Sequence, residues 1–319
     1  MYRACLEFGN PIQDAVSRVR FAPKSNNLLI ASWDSSLRLY DVSSSRLRLE
    51  APTEAALLDC CFQNEAVALS AGHDGSINRF VMSYFKAVYS LNFQDSKSDF
   101  ELFIQLEIMR IQQAVLSILM KRQTITGGWD KMIFSWDTRS AKAPGCLNSL
   151  RAEVESMSIS GFSLMVAVGS SVYMYDLRNS SKPVQAKESC MDIRIKCVRP
   201  TLNSEGFVVG SVDGRVALKY FYPSKLNTEG YVFRCHPKAK SGRRYLTAVN
   251  DIAFNASICG AFVTGDNEGY VTAWDARSKK RLLEFPRYPN SVSSLSFNHE
   301  GQLLAVAASY TYHEANERP

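Results

Sequence analysis

The sequence predicts an all-β protein built from one repeated hairpin unit, and three observations carry that prediction. First, a short string recurs six times: WDSSLRLYD from Trp33, HDGSINRFV from His73, WDKMIFSWD from Trp129, VGSSVYMYD from Val168, VDGRVALKY from Val212 and NEGYVTAWD from Asn267. Second, an apolar residue always stands three places beyond the turn position (34, 74, 130, 169, 213 and 268): Leu37, Ile77, Ile133, Val172, Val216 and Val271. Third, six places beyond it stand the aromatics Tyr40, Phe80, Trp136, Tyr175 and Trp274, with Lys219 as the exception. A period this long is the mark of a stacked or radial repeat.

Each element of the unit follows from local chemistry. Asp74-Gly75, Asp213-Gly214 and Glu268-Gly269 suit a tight hairpin turn, because glycine accepts the positive φ such turns require. Ahead of the turns run short apolar strands: LLIAS at 28–32, VALSA at 67–71, GFVVGS at 206–211 and AFVTG at 261–265. Further upstream, AVSRVRFAP at 15–23, ALLDCCF at 56–62, AVNDIAFN at 248–255 and SVSSLSFN at 291–298 alternate as inner strands should. A recurrent aromatic inside a strand is first a packing residue, so Trp136 and Trp274 are expected to hold the units together.

The turn positions are spaced by 40, 56, 39, 44 and 55 residues, against about 40–45 for a four-stranded WD-type blade. Six hairpins and a further unit opening at Ser291 predict a seven-bladed WD-repeat β-propeller. Residues 1–319 are expected to form one domain, with an irregular third blade and an incomplete last one. The irregularity is an insertion at 81–112. The nearby stretch FELFIQLEIMRIQQAVLSILM at 100–120 carries too many polar residues for a membrane span. Its Phe103, Leu106, Ile111 and Val115 approximate helical spacing, as a partner-binding helix would, whereas Ala114 to Leu119 could serve as an inner strand. Periodicity does not separate the two. At the other end, Pro319 arrives before a third strand of the last unit. Ring closure, perhaps by a strand at Cys5–Phe8, is therefore expected to be in question, with open sheet edges as the consequence.

Composition narrows the function classes. With 46% hydrophobic and 21% charged residues, the chain can bury a core. A net charge of +6 favours acidic partners without amounting to a nucleic-acid footprint. The eight cysteines show no C-x-x-C pair and no secretory leader ahead of them, so reduced, mostly packed thiols are expected. The four histidines have no metal-site spacing, and no P-loop, G-x-S-x-G or G-x-G-x-x-G string occurs. Cys235 beside His236 is expected to alternate across a strand rather than to pair. No enzyme, metal or cofactor is indicated.

Several longer strings resemble a known family: SWDSSLRLYDV at 32–42, LLDCCF at 57–62, FRCHPK at 233–238, VNDIAFN at 249–255, KKRLLEFPRYPNSVSSLSF at 279–297 and LLAVAASYTYHE at 303–314. They look like the mitotic spindle-checkpoint propeller of the budding-uninhibited-by-benzimidazole family, third member, over roughly residues 5–80 and 113–314. The RYP segment separates that family from its messenger-RNA-export relative. The resemblance implies a non-enzymatic adaptor, in the nucleus, at kinetochores and in the cytoplasm. Such adaptors bind the GLEBS peptide of a checkpoint kinase or kinase-like protein, and phosphorylated repeats of a kinetochore scaffold. Neither a membrane nor nucleic acid is implied. The alternative is a nuclear-pore or messenger-RNA-export adaptor, or another WD-repeat scaffold.

The residues point to a site compatible with this. Trp33, His73 and Trp129 each stand one place before the turn, so their hairpin tips should rim one face and present large anchors to a partner; a turn-capping role is the competing reading. Arg215, two past the Asp213 turn position, matches a family arginine that pairs with acidic peptide side chains. Lys196 stands where the family usually has arginine, keeping the charge but losing the fork, and Arg194 lies close by.

Overall fold

The computed structural model describes residues 6, 11–82, 86–91, 115–118, 123–137, 145–179, 183–188, 192–202, 206–220, 230–235 and 247–310. Among these the chain is all strand and turn, in seven antiparallel sheets taken here in chain order. Six sheets are four-stranded meanders. The seventh, Val292–Phe297 with Leu304–Ala308, has two strands among the described residues. This is the architecture of a WD-repeat β-propeller.

The innermost strand of each sheet is the first in sequence: Val16–Phe21, Leu57–Asn64, Val115–Ile118, Val154–Ser160, Ile195–Pro200, Val249–Phe254 and Val292–Phe297. Each packs against the next, and the last packs against the first. Ring closure, doubtful from the sequence, is therefore made through inner strands. Serine hydroxyls of the seventh sheet accept backbone N–H groups of the first: Val19 on Ser294 at 3.2 Å, Phe21 on Ser296 at 3.0 Å and Val16 on Ser309 at 3.1 Å. Ser293 donates back to the Val16 carbonyl at 2.6 Å. Of Cys5–Phe8 only Leu6 is described, and it packs with Val19, Ile30, Tyr40 and Ala307; residues 311–319 lie outside the described residues.

The repeat register is the burial register. Leu37, Ile77, Ile133, Val172, Val216 and Val271 are all buried, and so are Tyr40, Phe80, Trp136, Tyr175 and Trp274. Each such apolar side chain contributes about 1.5–3 kcal/mol on leaving water. The two buried indoles also satisfy their N–H groups within their own sheets. Trp136 Nε1 donates to Thr126 Oγ1 at 2.8 Å, and Trp274 Nε1 to Thr264 Oγ1 at 3.0 Å.

The long gap between the second and third hairpins is regular at both ends. Lys86–Leu91 is the outer strand of the second sheet, paired with Ile77–Val81, so regular pairing continues into the segment expected to be irregular. Val115–Ile118 is the inner strand of the third sheet, paired with Gln123–Gly127, as the strand alternative anticipated. Residues 92–114 lie outside the described residues. Cys60, Cys197 and Cys235 are buried free thiols whose pKa burial pushes up to about 12, whereas Cys146 and Cys259 are exposed. His236 and His313 lie outside the described residues. Among the described residues no cluster of ligands could hold a metal ion, and no helix is long and apolar enough to cross a membrane.

Candidate functional site

The six recurrent tips all join the second strand of a sheet to its third, so they emerge at one end of the ring. Those of the first, fifth and sixth sheets are pinned twice, and those of the second and third by one of the same two bonds. The residue entering the tip donates to the start of its sheet's inner strand: Trp33 to Ala15 O at 2.9 Å, His73 to Ala56 O at 2.8 Å, Val212 to Arg194 O at 3.2 Å and Asn267 to Ala248 O at 3.2 Å. The loop leaving the outer strand then donates into the tip: Thr53 to Ser35 O at 2.7 Å, Leu150 to Lys131 O at 2.7 Å, Cys235 to Gly214 O at 2.9 Å and Tyr288 to Gly269 O at 2.9 Å.

Turn chemistry is as the sequence predicts. Gly75, Gly214 and Gly269 have φ of 81, 80 and 91°, and the equivalent Ser35 and Lys131 adopt 59 and 65°. The turn carboxylates cap their own loops: Asp74 Oδ1 accepts the Ser76 N–H at 2.9 Å, and Asp130 Oδ1 accepts that of Met132 at 3.1 Å. The fourth hairpin is tighter. Val168 pairs with Ser171, leaving only Gly169 and Ser170 in the turn.

Trp33, His73 and Trp129 therefore share one face, on the first, second and third sheets. His73 is exposed there, but both indoles are half-buried rather than open anchors. A flanking residue covers Trp33 in part. The Trp33 ring meets Tyr310 edge-on at a centroid distance of 6.1 Å, and Tyr310 in turn donates its hydroxyl to Asp14.

The basic residues fall into two groups on the same face. Arg215 Nε donates to Asp213 Oδ2 at 2.7 Å, and Arg234 Nη1 donates to the Asp213 carbonyl at 2.9 Å with a 3.5 Å ion pair to the side chain. One carboxylate thus holds two guanidiniums, whose side chains remain 28% and 47% exposed. Burial alone would raise the Asp213 pKa, but hydrogen bonds from Ser211 and Arg215, with the charges of Arg215 and Arg234, hold it below the ordinary value. In the second group Arg194 donates to buried Glu155 at 2.6 Å and to Glu153 at 3.2 Å. Lys196 lies near Glu155: burial pushes its ammonium pKa down, and the Glu155 charge opposes that.

Two residues join this face that the hairpin register alone did not single out. Arg234 reaches Asp213 because its strand pairs Arg234 directly opposite Arg215. Arg287, from the RYP segment, donates Nε to the tip carbonyl of Glu268 at 2.7 Å and lies over the Tyr270 ring at 5.6 Å. The sequence signal for both was their place in the FRCHPK and RYP strings.

A ring of antiparallel meanders, six of them four-stranded among the described residues, with buried, threonine-bonded indoles and a shared tip face defines a WD-repeat β-propeller. Residues 5–41 match the model of the WD domain, G-beta repeat. The mitotic checkpoint protein BUB3.3 of Arabidopsis thaliana is 44% identical over 98% of this chain and 95% of its own length. BUB3.1 of the same plant is 39% identical over 98% and 88%, and Dictyostelium discoideum bub3 is 32% identical over 96% and 89%. The chain belongs to the BUB3 family of mitotic checkpoint WD-repeat proteins.

Proposed function

We propose that this protein is a non-enzymatic adaptor of the spindle assembly checkpoint, working in the nucleus and at kinetochores and present also in the cytoplasm. It lays a GLEBS-type peptide of a checkpoint kinase or kinase-like protein across the tip face. The observation that carries this reading is the convergence on one face of half-buried Trp33 and Trp129 with the Arg215–Asp213–Arg234 group. Half-buried indoles are pre-positioned, so little side-chain freedom is lost when a partner covers them. Two guanidiniums that share one carboxylate and remain partly exposed carry the planar forks that suit an acidic side chain or a phosphorylated scaffold repeat. Arg194, Lys196 and His73 extend the same face.

The basic run at 277–287 does not favour the nucleic-acid-linked alternative. Four of its five cations are engaged locally: Arg277 on the Cys259 thiol, Lys279 over the Tyr231 ring, Arg281 on Glu284 and Arg287 on the Glu268 carbonyl. Calorimetric titration with a synthetic GLEBS-type peptide tests the proposal. Binding by the native chain should disappear in the Trp129→Ala, Arg215→Glu double variant. Undiminished binding by that variant would remove the tip face from consideration.

A further inference from the structure

The central shaft of the ring holds an ion network that the tip face does not use. Arg18 of the first sheet donates Nε to Asp59 of the second at 3.0 Å and Nη1 to Asp251 of the sixth at 3.3 Å. Arg199 of the fifth donates Nη2 to the other oxygen of Asp251 at 2.5 Å. Asp251 also accepts the Ser294 hydroxyl at 3.2 Å and the N–H groups of Leu295 at 3.0 Å and Ile252 at 2.9 Å. The side chains of Arg18 and Arg199 are 17% and 12% exposed, and that of Asp251 is fully buried.

A third cation stands beside them. Arg20 lies two residues beyond Arg18, on the same side of its strand. Its guanidinium reaches the Leu295 carbonyl only at 3.5 Å, and among the described residues no carboxylate lies within ion-pair distance of it. The inner strand of the third sheet, Val115–Ile118, reads VLSI and brings no acid. Glu155 of the fourth is held by Arg194. Among the described residues of the shaft, three guanidiniums therefore face two carboxylates, both already engaged. Burial, with the like charges of Arg18 and Arg199, outweighs the attraction of Asp251 and Asp59 and pushes the Arg20 pKa down to about 10, so it stays cationic at neutral pH. The neighbouring Ser296 hydroxyl accepts the Phe21 N–H at 3.0 Å, and its own proton has only a 3.5 Å contact to the Phe297 carbonyl.

A partly buried guanidinium that forms no direct ion pair is unfavourable, and an anion of matching shape relieves it. We propose that the shaft binds a small tetrahedral oxyanion of the phosphate class at Arg20, which grips two of its oxygens, with the Ser296 hydroxyl as a further donor. A planar fork of two parallel N–H groups fits such an oxyanion better than it fits a spherical halide. Arg20 remains partly exposed, so solvent reaches the site.

Thermal unfolding of the full chain tests this, comparing chloride buffer with millimolar phosphate at equal ionic strength. Phosphate should raise the native midpoint, and phosphorus NMR of the folded protein should show the ligand broadening on binding. The Arg20→Gln variant should melt no lower than the native chain in chloride and lose the phosphate response, its affinity falling by about tenfold or more. Arg215→Gln, on the tip face, should keep the full response, which separates this site from the peptide surface. Should Arg20→Gln not fold, Arg20→Lys, which keeps the charge but not the fork, should still respond more weakly than the native chain. No phosphate response in the native chain, or an equal response in the Arg20 variants, would overturn the proposal.

Discussion

The body of each sheet and its tip use the same residue types for different ends. Trp136 and Trp274, deep in third strands, are 4% and 8% exposed and close hydrogen bonds to Thr126 and Thr264. Trp33 and Trp129, at the tips, are half-buried. Arginine divides the same way. In the shaft Arg18 is shared by two aspartates, whereas at the tip of the fifth sheet one aspartate is shared by Arg215 and Arg234. Position within the hairpin, not residue identity, decides whether a side chain is buried within the ring or stands at its tip face.

The largest expected effect lies in the body. Asp251→Ala leaves Arg18 and Arg199 short of a buried partner and should cost about 3–5 kcal/mol of unfolding free energy in urea titrations. A companion pH dependence follows. Burial favours neutral Asp251, but the charges of Arg199, Arg18 and Arg20 outweigh it and hold the folded pKa below the ordinary 3.8. The stabilisation is therefore complete above the unfolded pKa of about 3.9 and is lost as pH falls through the lower folded value. Near-ultraviolet dichroism should show acid unfolding beginning below about pH 4, and an Asp251→Asn chain should lack this contribution. A flat response of the native chain across that range would break the contrast between shaft and tip.

Trp274→Ala comes next, at about 3–5 kcal/mol of stability, with peptide affinity changed only as far as folding is. Trp129→Ala should show the reverse: stability within about 1 kcal/mol of the native chain, and peptide affinity reduced by about 2 kcal/mol or more, some thirtyfold. Equal stability losses for the two would erase the distinction between body and tip. The smallest effect is Trp136→Phe, which keeps the ring's bulk and loses the bond to Thr126, at about 1 kcal/mol by thermal melting.

Much of this division was legible along the chain. The apolar and aromatic positions are three apart and so lie on opposite faces of the third strand; a fixed register of both can arise only where both faces are buried in every unit, and those positions are the core. The tips were legible because Asp-Gly turns state their backbone geometry locally. What was not legible required residues far apart to meet. Tyr310 against Trp33 turned an expected open anchor into a half-buried one. Arg234 met Arg215 through strand pairing, which no local pattern announces.

The first and last units show where local pattern stops deciding. Hydrophobic periodicity and turn chemistry act over a few residues, so they specified strands, hairpins and the all-β class from the chain alone. Closure of the ring, the Arg18–Asp251 bond across its shaft and the surplus charge at Arg20 depend on contacts between residues more than 200 apart in sequence, as in the 275-residue separation of Val19 and Ser294. Those contacts form only once all the sheets have packed around a common axis, because a serine hydroxyl or a guanidinium has no preferred partner until the fold brings one within reach.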